Sequence, residues 1–512
     1  MFAVLTERSF DTYKHMNAAR ASGPTLDQQS ARLQPSLSPA GPLPALVVDL
    51  DGTLIKTDLL FEAICRLLRE EPSALFAIPF WLLKGGAHLK RELARRVQLD
   101  PALLPYRTDV LDWVRAERGK GRQIVLATGS DERLAKAVAN YLKVFDLVQA
   151  SDGATNLSGE NKRTRVVAEF GNKGFDYVGN ESRDLPVWSS ARKAIVVNPN
   201  PGFIQTVAKV ATIEKSFLDR GANLSEYLKA LRPQQWSKNV LVFVPLFAAH
   251  FFNQPALLAR TIIAFMAFCC CASSGYLIND LCDLPADRHH PTKRLRLFAS
   301  GRLPLAYALA MAPILAALGC ILAALLSEAS LGILVLYFAL TVAYSVRLKK
   351  VVLLDVIILA SFYTLRVIGG GVAIAIWPSV WLVGFSMFLF ISLAFMKRYA
   401  ELVIMRAVDG DHATARAYRL SDTELLATKG TVSAYACVLV LAIYIAGGAV
   451  KTLYSTHQVL WFVCPLLLYW IGYLWLVAHR GEMQQDPMVF ALHNRTSRIL
   501  ILLMVAAALI AI

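Results

Sequence analysis

The chain has 512 residues, 55% of them hydrophobic, and a mean hydropathy of +0.45. That composition excludes an ordinary water-soluble enzyme, and the length leaves room for about three domains. The 53 Lys and Arg outnumber 38 Asp and Glu for a net charge of +15. Much of this charge sits in loops between apolar spans, which argues for a membrane and against nucleic acid.

Residues 1–43 are polar, rich in Ser, Pro, Gln and Ala, and read as disordered. The N-terminus lacks the charged-then-apolar form of a signal peptide, so the first folded domain is expected on the synthesis side of the membrane. Over 44–209, short β-branched runs at 45–48, 123–126, 176–178 and 193–197 alternate with helical stretches and end in turn residues. This pattern predicts a doubly wound α/β sheet. Residues 59–106 form a helical insertion carrying Trp81 and Lys84. Residues 210–239 read as a linker ending in an interfacial helix, where Arg232, Trp236 and Lys238 combine aromatic and basic side chains.

Nine apolar spans follow over 240–512, near 240–252, 256–279, 304–326, 329–346, 351–371, 378–396, 430–449, 458–478 and 497–512. They predict an all-α polytopic membrane domain. The loops on the side of the first domain carry 17 Lys and Arg, and the opposite loops only Arg260 and Lys451. The positive-inside rule then places the α/β domain and both candidate sites on the cytoplasmic face of a bacterial-type inner (plasma) membrane. The eight cysteines show no C-x-x-C spacing, so neither a disulfide framework nor a zinc site is read.

Asp49-Leu50-Asp51-Gly52-Thr53 directly follows the first predicted strand. A carboxylate nucleophile at a strand's C-terminal end, beside Mg²⁺, suits attack on phosphate. A second acid two residues on can protonate the leaving oxygen. Thr128 offers a hydroxyl and an amide to phosphate, Lys162 a fixed positive charge, and Asp184 a further carboxylate. On these motifs, D-L-D-G-T at 49–53, Thr128, Lys162 and G-N-E-S-R-D at 179–184, the segment resembles the haloacid-dehalogenase (HAD) superfamily. The resemblance implies a Rossmann-like core with a helical cap at 59–106. It also implies an aspartyl-phosphate on Asp49, acid/base work by Asp51, and Mg²⁺ held by Asp49, Asp51 and Asp184. One departure is Asn180, where many members carry Asp.

In the membrane half, Asn279, Asp283 and Asp287 fall at i, i+4 and i+8 on one helical face, with Asp280 beside them. Carboxylates at a membrane cost about 2.5–3.5 kcal/mol each, so they pair or function. Clustered oxygens suit Mg²⁺ carrying a diphosphate. Pro285 is expected to bend or end that helix. Arg288, Lys293, Arg294 and Arg296 follow as candidate phosphate ligands. The Gly369-Gly370-Gly371 run reads as close helix packing.

N-D-x-x-D-x-x-x-D at 279–287 resembles the first aspartate-rich motif of the UbiA superfamily of intramembrane prenyltransferases. The second aspartate pair of prenyl-diphosphate users is not visible. Instead come R-P-Q-Q-W-S-K-N at 232–239 (with Lys238 and Asn239), Tyr344, Lys349, Asp355, Lys397, Arg398, Glu401 and Asp486-Pro487. These resemble the decaprenyl-phosphate phosphoribosyltransferase branch, which implies transfer of 5-phosphoribose from phosphoribosyl pyrophosphate (PRPP) to a polyprenyl phosphate. In that setting Lys349, Lys397 and Arg398 are expected on phosphates, and Glu401 or Asp355 on ribose or metal. With one Mg²⁺ in each domain, the fused phosphatase is expected to remove the 5-phosphate, giving a cell-envelope or glycan precursor. Competing readings are an aromatic-acceptor prenyltransferase, or a lipid-binding or transport protein with a regulatory HAD domain.

Overall fold

The computed structural model describes residues 43–199, 201–219, 221–409, 414–415, 418–483 and 486–512. The segment read as disordered, but for residue 43, lies outside them.

Six strands form one parallel sheet in the order β3-β2-β1-β4-β5-β6. They are β1 (Ala45–Val48), β2 (Ile124–Asp131), β3 (Leu147–Ser151), β4 (Phe175–Gly179), β5 (Ala194–Val197) and β6 (Ile213–Phe217). Central β1 pairs with β2 (Val47 opposite Val125) and with β4 (Val47 opposite Tyr177). Every residue of β1, β4 and β5 is buried, as parallel strands covered on both faces require. The α/β domain expected from the sequence is therefore present. The two strands that were not anticipated, β3 and β6, are the sheet's edges. Their sequences, L-V-Q-A-S and I-E-K-S-F, carry polar residues that an edge tolerates and a central strand does not. β6 also carries the sheet past residue 209.

Buried Asp176 on β4 is held by Arg122 and Arg192; Arg192 donates to it at 2.9 and 2.7 Å. The insertion after β1 is helical: α1 (Leu59–Glu70), a 3-10 stretch Pro72–Ala77, α2 (Ile78–Leu83) and α3 (Gly86–Arg96). The rest of the domain is covered by α4 (Thr108–Gly119), α5 (Glu132–Leu142), α6 (Glu160–Phe170), α7 (Leu185–Ser190) and α8 (Pro201–Ala208).

After α9 (Leu224–Ala230), the chain runs as a 3-10 segment Pro233–Phe243 into α10 (Val244–Ala248). The long helices are α11 (Pro255–His289), α12 (Leu305–Ala324), α13 (Glu328–Val346), α14 (Leu354–Ala373), α15 (Val380–Asp409) and α16 (Thr423–Ala446). The short α17 (Gly448–Leu453) leads to α18 (Val463–His479), α19 (Pro487–His493) and α20 (Arg495–Ala511).

Nine spans were expected. Among the described residues seven helices are long and apolar enough to cross a membrane, or eight if α19 and α20, bent by 85°, count as one. The expected first span, 240–252, is instead the end of the 3-10 segment, whose Lys238, Asn239 and Val242 are buried, followed by the short α10. At about 2 Å rise per residue its eleven residues reach about 22 Å, further than an α-helix of the same number of residues would. Gln235 and Lys238 line a cleft at one end of the bundle, while Pro245 lies beside Trp377, beyond the far end of α14. Of the residues 210–239, 224–230 form the helix α9, and beyond it Trp236 donates to Ser273 on α11 at 3.0 Å, which ties the 3-10 segment to that helix. A Cβ on Gly370 would stand 1.9 Å from the Val242 carbonyl oxygen, so the glycine run serves close packing. Pro285 neither ends nor breaks α11, which continues to His289.

Replacing Arg122 with Ala leaves Asp176 with one base. Loss of a partner from a buried pair costs about 3–5 kcal/mol, and retained Arg192 places the cost near the lower end. A drop in unfolding temperature of the purified protein, followed by circular dichroism, is the expected result.

Candidate active sites

The first site lies at the C-terminal ends of β1, β2 and β4. Asp49 directly follows β1, and its Oδ1 accepts from Lys162 Nζ at 2.8 Å while its Oδ2 accepts from Thr53 at 3.2 Å. Asp51 accepts from Thr128 (3.0 Å), Ser130 (2.6 Å) and the amide of Leu59 at the start of α1 (2.8 Å). Asp184 accepts from Tyr177 at 2.7 Å, from Lys162 at 3.4 Å and from the amides of Asn180 and Glu181. Gly52 has φ +71°, and a Cβ there would meet Asn180 at 2.3 Å, so the turn that carries Asp51 needs glycine. All five sequence candidates, Asp49, Asp51, Thr128, Lys162 and Asp184, are thus brought together. Ser130, Tyr177 and Lys90 join them without a sequence signal, because their partners lie on other elements. Lys90 arrives from α3, donating to the Gly129 carbonyl at 2.6 Å, and burial lowers its pKa.

Burial drives the Asp49 carboxyl up to about 7; Lys162 opposes this, while Asp184 and Asp51 add to it. Asp58, the N-cap of α1, is likewise raised to about 7 by burial and then by Asp51. Buried carboxylate in excess of base is what a divalent cation neutralises, so the donor set of Asp49, Asp51 and Asp184 fits Mg²⁺.

The second site is a cleft of about 430 Å³ in the membrane half. Asn279, Asp283 and Asp287 line it from α11, with Lys238, Lys293, Tyr344, Lys397 and Glu401 opposite and around them. These oxygens are hard donors on one helical face and fit Mg²⁺ by chemistry. Each acid also meets a base: Lys349 donates to Asp283 at 2.6 Å and to Asn279 at 3.0 Å, and Arg296 to Asp287 at 2.7 Å. Among the described residues, no three His, Cys, Asp or Glu side chains converge as a ready-made metal cluster.

Several expected residues lie elsewhere. Asp280, on the flank of α11, accepts from Arg232 at 2.5 Å and so backs a cleft-lining base. Arg288 points away from the cleft and binds Glu62 of α1 through two bonds, 3.0 and 2.7 Å, because its turn of α11 faces the α/β domain. Arg294 is exposed and does not line the cleft. Asn239 is buried, accepting from Arg366 at 2.6 Å and donating to Cys269. Arg398 is fully buried against Asp355 (2.6 Å), Glu401 (2.7 Å) and the Tyr344 hydroxyl (3.0 Å), a structural network and not a free phosphate ligand. Asp355, itself 0% exposed, also accepts from Tyr418 at 2.6 Å and cannot reach ribose. Lys349 is held on the acid face.

Arg296, a candidate in the sequence, does line the cleft, whereas Asp486, Arg232, Tyr276 and Tyr363 were given no place there by sequence reasoning. Asp486 accepts from both Lys238 (3.0 Å) and Lys397 (2.9 Å). Burial opposes its ionisation, but the two lysines hold its carboxyl below the usual carboxylate range. Its D-P dipeptide was visible, but only the fold shows that residues 238, 397 and 486 meet.

An acid whose folded pKa is raised lends full stability below its unfolded pKa and loses it as pH rises toward the folded value. Metal-free protein should therefore lose stability between the ordinary carboxylate range and about pH 7. Asp49→Asn should flatten this slope without abolishing it, since Asp58 titrates in the same direction. Unfolding temperatures in EDTA at pH 5 and pH 8 check it.

The UbiA prenyltransferase family model matches residues 240–510. A Sinorhizobium fredii protein, y4nM, is 37% identical over 458 residues, 88% of each chain. A decaprenyl-phosphate phosphoribosyltransferase of Mycobacterium tuberculosis is 31% identical over 284 residues, 54% of this chain and 91% of that one. A UbiA homologue of Archaeoglobus fulgidus, solved with GPP and Mg²⁺, covers 56% of this chain and 100% of its own at a TM-score of 0.43 and 16% identity. The chain belongs to the UbiA prenyltransferase family, here joined to an α/β domain built on a six-stranded parallel sheet.

Proposed function

We propose that the membrane cleft transfers 5-phosphoribose from PRPP to a polyprenyl phosphate, and that the HAD-like domain then removes the 5-phosphate. The observation that carries this reading is the make-up of the cleft. One acid face (Asn279, Asp283, Asp287) confronts Arg232, Lys238, Lys293, Arg296 and Lys397 in a single space. A diphosphate donor and a phosphate acceptor are both anions, and a cleft rich in bases can hold the two together. The similarity to decaprenyl-phosphate phosphoribosyltransferases supports the same substrates.

In this reading the bond from C1 of ribose to the pyrophosphate oxygen breaks, and an oxygen of the polyprenyl phosphate takes its place on C1. Mg²⁺, held by Asn279, Asp283 and Asp287, would supply charge neutralisation for the departing pyrophosphate. Lys293, Arg232 and Arg296 add fixed positive charge, which is worth most where water is excluded. Asp280 keeps Arg232 aimed by its 2.5 Å bond. Tyr276, Tyr344 and Tyr363 give the cleft aromatic walls beside these charges.

In the α/β domain, Asp49 attacks the phosphorus of the 5-phosphate and Asp51 gives a proton to the departing ribose oxygen. Water then releases inorganic phosphate from Asp49. Mg²⁺ would sit with Asp49, Asp51 and Asp184 and screen the phosphate from those carboxylates. Lys162 and Thr128 hold the phosphate, and Tyr177 orients Lys162 and Asp184.

Incubation with labelled PRPP and decaprenyl phosphate, read by mass spectrometry of the lipid, tests both steps. Asp283→Asn should lower transfer by about 10²–10³-fold, in line with loss of one group that stabilises developing charge. Asp49→Asn should leave transfer intact and stop release of inorganic phosphate, so that the lipid keeps its 5-phosphate. Product from a prenyl diphosphate and an aromatic acid, with none from PRPP, would sink the reading.

A further inference from the structure

Beyond α1 the insertion exposes apolar surface that neither site uses. Phe76, Phe80, Leu82 and Leu83 are 81, 67, 57 and 84% exposed. Elsewhere in the α/β half such side chains are scattered singly, as at Tyr141 and Val210. A contiguous patch of this kind marks a partner surface.

Its position identifies the partner. α1 packs through Phe61, Cys65 and Leu68 with Leu281 and Leu284 of α11. Its last turn brings Arg66 and Arg69, with Glu70, beside Val346, Arg347 and Lys350 around a cavity of about 290 Å³. Val346 ends α13, a helix apolar enough to cross a membrane. This cavity therefore stands where an apolar span gives way to headgroups. The exposed segment begins at Pro72, immediately after α1 and its C-cap Glu71.

The cavity has a charge to match. Among the described residues Arg69, Arg347 and Lys350 form no ion pair; Arg66 pairs with Glu70 at 2.6 Å, but its Nε is buried without a hydrogen-bond partner. Trp81 and Lys84 add the aromatic and basic pair common at bilayer interfaces.

We propose that residues 72–83 form a monotopic anchor immersed in the leaflet beside the acid-bearing end of α11, and that Arg66, Arg69, Arg347 and Lys350 grip the phosphates of anionic headgroups. Short apolar helices with basic neighbours bind membranes by this combination of burial and charge. The anchor holds the α/β domain against the bilayer by its insertion as well as by its contact with α11.

The test uses the full chain in nanodiscs of phosphatidylcholine with or without phosphatidylglycerol. Benzoylphenylalanine replaces Phe76, Phe80 or, as control, exposed Tyr141, and lipid adducts are counted after irradiation. Adducts at 76 and 80 should exceed those at 141 by about tenfold or more, as immersion requires. Equal yields, or crosslinks to a second copy of the chain in place of lipid, overturn the anchor. Native mass spectrometry tests the grip: the double variant R347Q/K350Q should retain about threefold less phosphatidylglycerol with phosphatidylcholine unchanged. Unchanged phosphatidylglycerol retention, or loss of both lipids alike, overturns the headgroup site. Both residues are exposed, so the fold is expected to survive the change.

Discussion

The membrane half depends on charge neutralisation along one helix. α11 carries four polar side chains, Asn279, Asp280, Asp283 and Asp287, within nine residues at the end of an apolar run. Each is met by a base from another element: Lys349 from the loop after α13, Arg232 from before the 3-10 segment, Arg296 from the loop after α11. A carboxylate removed from water without such a partner would be too costly to keep ionised. The same pairing that makes the acids tolerable also assembles the cleft, because bases from distant segments must converge on α11 to satisfy them.

That constraint reaches the α/β domain. Arg288 follows Asp287 directly, yet it leaves the cleft and closes a two-bond pair with Glu62, both side chains nearly buried. The N-terminus of α1 meanwhile donates to Asp51 in the phosphate site. A single helix of 12 residues thus touches the phosphate site at one end and the acid-bearing helix at its middle. The two sites share this helix, which suits the proposed sequence of steps, in which the second uses the product of the first.

Buried polar groups away from the sites serve packing. Arg366 sits inside a span and is satisfied by Asn239, the Tyr337 hydroxyl and the Phe362 carbonyl. It ties the 3-10 segment to α14, where Gly370 allows the two backbones to touch. Arg260 donates to the carbonyls of Ala373 and Leu326, near the C-terminal ends of α14 and α12, where helices leave acceptors unpaired. Arg366 and Arg260 are therefore structural ties within the membrane half.

What the sequence determined by itself is whatever rests on local spacing. The D-x-D-G-T turn after a buried strand, the i, i+4, i+8 acid face and the long apolar runs all have periods that a chain displays before it folds. The central strands were legible because burial on both faces demands continuous apolar residues; the edge strands were not, because exposure relaxes that demand. Tertiary structure alone decided which charges meet. Arg288, Arg294, Lys349 and Arg398 look alike as basic residues near a motif, but one joins the domains, one faces solvent, one sits on the acids and one is locked in the core. Asp486 entered the cleft because Lys238 and Lys397, far away in sequence, needed a common partner. Spacing fixes what shares a helical face; only the path of the whole backbone fixes what stands opposite that face, and in a low dielectric it is the opposite charge that decides the role.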